Sequence, residues 1–152
     1  MAAVAVLISG CGGGGGPLAA KHEAPKFSST ADIQAALNDA GLTCSDFKEV
    51  AKSDSNFAEQ STANEVANCA VEGEKIDLIT FKDKGQQDNW LNMSRQMGCV
   101  MGSAFGVSNM HFVRGNGWGV AEGSQTISDK IADAIGGEAV HVDCKDVKLP
   151  GN

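Results

Sequence analysis

The spacing of apolar residues switches repeatedly between helical and strand periods along this chain, and that alternation limits what it can fold into. Ile33, Ala36, Leu37 and Ala40 share one helical face over residues 31–40, with Ser29 or Thr30 as N-cap and Gly41 beyond the end. A second helix is predicted after Asp83, with Gln86 in capping-box position. Its stripe is Trp90, Met93, Met97 and Met101, widened by Leu91 and Val100, which has the spacing of a buried face. A third, over 125–135, places Ile127, Ile131, Ala134 and Ile135 together and stops at Gly136-Gly137. Strands are predicted at 43–50, 65–71, 75–82, 110–114, 118–121 and 139–144. A tight turn at Gly73 and the Gly115-Asn116-Gly117 turn make two hairpins, because Asn-Gly tolerates positive φ. Residues 52–64 are polar and read as a loop. The segments 65–101 and 110–135 are thus two successive ββα units. The expected fold is α+β in two layers, a mostly antiparallel sheet with about three helices on one face.

A length of 152 residues suits one domain plus a short targeting segment. Apolar residues at 42% and charged residues at 20% are the proportions of a chain that builds a core. Net charge is −7 and no Lys/Arg cluster occurs, which argues against nucleic acid as a partner and against electrostatic docking on anionic lipid.

Attachment to a membrane is expected by another route. Residues 2–8 are uncharged and apolar, too short for a spanning helix, which needs about 20 residues, but of signal-peptide length. Ile8-Ser9-Gly10-Cys11 follows the lipobox order: a branched apolar residue, two small residues, then Cys. The segment resembles the lipobox of bacterial membrane lipoproteins, and with the tether and cysteines it is similar to small Gram-positive, especially actinobacterial, or phage-encoded lipoproteins without assigned activity. The resemblance implies cleavage before Cys11 and transfer of diacylglycerol and a fatty acid such as palmitate to it. It also implies anchoring at the extracytoplasmic side of the cell membrane. Met1-Ala2-Ala3 lacks the basic residues of such signals, so a basic segment is expected upstream. Gly12 to Gly16 then form a flexible tether with a span of roughly 12 Å. The expected organisation is signal peptide 1–10, lipidated Cys11 and tether 11–28, and a globular domain 29–148.

Setting Cys11 aside leaves Cys44, Cys69, Cys99 and Cys144, an even number in a domain expected to be exported. No zinc-type spacing links them. Three pairings are open, and Cys44–Cys69 with Cys99–Cys144 is preferred because each joins elements expected to be neighbours.

No catalytic signature is present. His22, His111 and His141 are dispersed, although His111 and His141 lie on strands that could meet. The sequence 102–106 is not a G-x-S-x-G elbow, and Ser53, Ser55 and Ser61 have no adjacent base. No metal or cofactor is expected beyond the lipid. Trp118, beside the Asn-Gly turn, is the candidate partner contact. The expected function is a lipid-anchored binding or interaction module of the cell envelope, with an envelope protein or small ligand as partner and phage superinfection exclusion as one version of it. The alternative is an extracytoplasmic hydrolase whose site is assembled from scattered residues. A pocket holding two titratable groups with shifted pKa values would favour the hydrolase.

Overall fold

Side chains set the helix starts. Ser29 Oγ accepts from the Asp32 N–H while the Asp32 carboxylate accepts from the Ser29 N–H, opening helix α1 (Thr30–Asp39) with a reciprocal cap. Asp83 caps α3 (Lys84–Ser103) by accepting from the Gln86 N–H at 2.8 Å. Ser124 caps α4 (Gln125–Ile135), which ends at Gly136 with φ +80°. The computed structural model describes residues 23–148. The expected signal peptide, Cys11 and the first part of the tether lie outside these residues.

Strands β1 (Cys44–Val50), β2 (Glu65–Val71), β3 (Glu74–Thr80), β4 (Asn109–Arg114), β5 (Trp118–Ala121) and β6 (Glu138–Asp143) form one antiparallel sheet in the order β1-β2-β3-β5-β4-β6. The β2–β3 turn is Glu72-Gly73, both at positive φ, as a two-residue hairpin requires. The α+β class and the antiparallel sheet are as the sequence leads one to expect.

The helices, expected on one face, divide between both. Cys69, Val71, Ile76, Leu78, Val113 and Val120 face Ile33 and Leu37 of α1 and Ile127, Ile131 and Ile135 of α4. Val66, Ile79, Phe112 and Val142 face Trp90, Leu91 and Cys99 of α3. The cause is visible in β3, where Ile76, Asp77, Leu78, Ile79 and Thr80 are all buried. A strand apolar on both sides must be covered on both sides.

This placement also bears on the two ββα units. Their central strands β3 and β5 are antiparallel neighbours, so only a two-fold axis normal to the sheet could relate the units. Such an axis would put α3 and α4 on the same face. They occupy opposite faces, so the units have opposite hand and are not a repeat.

Two further expectations are corrected. Residues 52–64 are not all loop: a 3-10 turn at Lys52–Asp54 is followed by α2 (Phe57–Thr62), capped by Asn56 Oδ1 on the Glu59 N–H at 3.1 Å. Six residues are too few to show a period. The domain also reaches back into the expected tether. The Trp118 indole N–H donates to the Pro25 carbonyl at 2.7 Å, and the Phe27 ring packs 5.3 Å from it.

The disulfides are Cys44–Cys69 and Cys99–Cys144, with Cα separations of 5.4 and 5.2 Å. The first bridges β1 and β2, which already share backbone hydrogen bonds. The second ties α3 to the chain just past edge strand β6. For loops of 25 and 45 residues, chain entropy alone gives contributions of about 3.5 and about 4 kcal/mol. Replacing Cys99 and Cys144 by Ala should therefore lower stability by about 4 kcal/mol or more in calorimetry. Replacing Cys44 and Cys69 should cost less, because β1–β2 pairing persists. The reverse ranking would contradict the assigned roles.

Candidate binding groove between two helices

The Met stripe of α3 leaves the core along its length. Trp90 and Leu91 are buried, Met93 and Met97 half-buried, and Met101 is 61% exposed. The sequence spacing reads the whole stripe as core, and the structure corrects this for its second half. The reason lies in unequal helix lengths. At 1.5 Å per residue α3 is roughly 30 Å long and α2 roughly 9 Å. The shorter helix cannot cover the longer one.

Past α3 the chain turns back sharply. The amides of Phe105 and Val107 both donate to the Gly102 carbonyl, at 2.9 and 2.8 Å. Gly106 permits this with φ +77°. The turn holds Phe105 outward, 85% exposed. Among the described residues the exposed large apolar side chains are Phe57, Val100, Met101, Phe105 and Val107. Four of them line one groove of about 490 Å³, together with Met97, Met110 and Phe112. Val100 is on the same helical segment. Gly98 and Gly102 keep the groove walls close: a Cβ on Gly98 would collide with the Met110 side chain, and one on Gly102 would lie 2.8 Å from Val107 Cβ.

Carboxylates flank this apolar surface. Glu122 lines the groove. Glu59, on α2, is 1% exposed, and its Oε1 has no hydrogen-bond partner. Burial first, then the charges of Asp77 and Glu122, push the Glu59 carboxyl up to about 7, against hydrogen bonding from Asn56. Burial and Asp77 also raise Glu122, which Lys75 opposes from 3.6 Å. Asp77 itself accepts from the Asn68 amide at 2.8 Å.

The sequence candidates fall as follows. Cys11 lies outside the described residues. Cys44, Cys69, Cys99 and Cys144 serve as braces. Trp118 is fully buried, with its N–H satisfied by Pro25, so it offers no surface to a partner. Large aromatics beside a hairpin turn can be core when the chain ahead of the domain folds over them, as Pro25 and Phe27 do here. His111 and His141 do meet, with Nδ1 atoms 3.0 Å apart. Their neighbours Phe112 and Val142 belong to the α3 face, so strand alternation puts both imidazoles on the α4 face. His111 is among the groove's lining residues and burial lowers its pKa, but its imidazole lies on the opposite side of the sheet from Glu122, so the two shifted groups do not form one acid–base pair. Ser94 lines the groove with no base hydrogen-bonded to its hydroxyl. Among the described residues, no group of three or more His, Cys, Asp or Glu gathers as metal ligands. The lining of the groove is predominantly apolar.

No pattern in the sequence singles out Phe57, Phe105 or Val107. Each is a single large apolar residue in a polar or Gly-rich stretch, and only their convergence in space makes a site.

The raised carboxyl has a thermodynamic consequence. Unfolded Glu59 loses its proton near 4.5, whereas the folded protein holds it to about 7. Between these values the folded state binds the extra proton, so stability falls as pH rises through the window. Glu59→Gln should flatten that decline and exceed wild type at pH 8 by roughly 3 kcal/mol. Parallel pH–stability curves for the two proteins would contradict it.

No protein-family model, curated protein or solved structure matches the chain.

Proposed function

We propose that this chain is a lipid-anchored binding module of the bacterial cell envelope. In this reading Cys11 holds it to the extracytoplasmic side of the cell membrane, and the groove between α2 and α3 takes a small apolar ligand. The observation that carries the ligand reading is the gathering of exposed Phe57, Met101, Phe105 and Val107 around one groove. Isolated apolar side chains on a surface need no explanation, but a concave cluster does. Its volume is within the roughly 300–1,000 Å³ of small-molecule sites. Met97, Met101 and Met110 supply flexible, polarisable walls that adapt to a ligand's shape. Burying Met101 and Phe105 under a ligand would return about 1.5–3 kcal/mol each.

The anchoring reading is supported by Ile8-Ser9-Gly10-Cys11 and the Gly tether after it. Two disulfides fit an oxidising compartment. Anchor and groove are tested separately.

Cys11→Ser removes the thiol that would accept the lipid. Metabolic labelling with a radioactive fatty acid should mark wild type and not the variant; equal labelling would defeat the anchor. For the groove, the neutral dye Nile red should bind the wild type with strong fluorescence enhancement. Met101→Lys with Phe105→Ser should weaken binding at least tenfold and leave the melting temperature within a few degrees, since both side chains are exposed. Unchanged dye affinity in that variant would defeat the groove as the binding site.

A further inference from the structure

On the sheet face away from the groove, strand register sets His111 of β4 directly opposite His141 of β6. Their Nδ1 atoms are 3.0 Å apart, and Asp129 Oδ1 on α4 is 2.9 Å from His141 Nε2. A carboxylate only accepts, so Asp129 fixes the His141 proton on Nε2 and leaves the Nδ1 lone pair directed at His111. Two imidazole nitrogens this close share one hydrogen, donated by the His111 Nδ1–H to the His141 Nδ1 lone pair, and an ion bound by both nitrogens is the other species that can stand between them.

The spacing is short enough for one ion to reach both nitrogens. With bonds of roughly 2.0–2.1 Å, two nitrogens lie roughly 2.9 Å apart across a right angle and roughly 3.3 Å apart across a tetrahedral one. The 3.0 Å between the nitrogens is the spacing of the hydrogen bond they make and is close to the right-angle value, so a small turn of the rings suffices for an ion, and cupric ion heads the affinity order for nitrogen sites. Both rings are partly open to solvent, so water can complete the coordination. The surrounding protein is acidic, with net charge −7, and Asp129 stands behind one ligand.

We propose that His111 and His141 form a two-imidazole site for a divalent copper ion, bound through both Nδ1 atoms, with Asp129 as the positioning residue. On binding, the ion takes the place of the one hydrogen lying between the two nitrogens, and His111 stays neutral by carrying its proton on Nε2 instead of Nδ1. Acid opposes binding, because protons compete for the same lone pairs.

The chain has three histidines, so the full-length protein carrying His22→Ala isolates the pair. Cupric ion titrated into it should give an electron paramagnetic resonance spectrum with superhyperfine splitting from two imidazole nitrogens. His111→Ala and His141→Ala should each weaken binding at least tenfold. Asp129→Asn should weaken it roughly tenfold while the two-nitrogen signature persists. All three side chains are partly exposed, so melting curves should confirm that each variant folds. Affinity no greater than that of the protein lacking all three histidines would overturn the site, as would a spectrum with one nitrogen. Unchanged affinity in Asp129→Asn would overturn the role given to the carboxylate.

Discussion

The two central strands, β3 and β5, have no polar side to turn toward water. Every residue from Ile76 to Thr80 and from Trp118 to Ala121 is buried. A sheet with such a centre must be covered twice, and the helices are apportioned accordingly. Helices α1 and α4 close one face around Ile33, Leu37, Ile127 and Ile131, and α3 with α2 closes the other around Trp90. The Trp90 ring packs against Phe81 and Phe112 and over Gly119, where an added Cβ would stand 2.8 Å from it. The groove follows from the same demand, because the second face is covered by helices of very different length. The centre of the sheet is sealed, and the far half of α3 is left with apolar side chains and nothing above them.

Much of this was legible in the residues. Caps at Ser29 and Asp83 mark two helix starts, Gly136-Gly137 marks the end of a third helix, and Asn116-Gly117 marks a hairpin, because these depend on local chemistry. Of the three cysteine pairings open from the sequence, the preferred one is found, because β1 pairs with β2 and the end of α3 lies beside the end of β6. Layering was harder, although the run Ile76-Asp77-Leu78-Ile79 already lacks the alternation of a half-exposed strand. The identity of exposed apolar residues was not legible. Met101 has core spacing, and only the shortness of α2 exposes it. Trp118 shows the converse: it follows a turn, yet residues 25–27 fold back to bury it.

Polar groups inside the molecule divide into those that are satisfied and those that are not. Gln87 donates to the carbonyls of Gly115 and Trp118 at 2.7 and 2.8 Å, locking α3 to the β4–β5 turn. Glu59 has no such partner for Oε1 and instead holds a proton to about 7. Its burial beneath α2 places a pH-dependent element beside the groove. Protonation relieves repulsion with Asp77 and Glu122, so α2, one wall of the groove, is held most firmly in mild acid.

The central claim is that the α2/α3 groove is a ligand site rather than an unfinished core, and the methionines can report on it directly. In a spectrum of the protein with 13C-labelled methionine methyls, titration with a small apolar probe should shift Met97, Met101 and Met110, which line the groove. Met93, half-buried on the same helix outside it, should stay in place. Shifts spread equally over all four resonances, or none at saturating probe, would contradict the account.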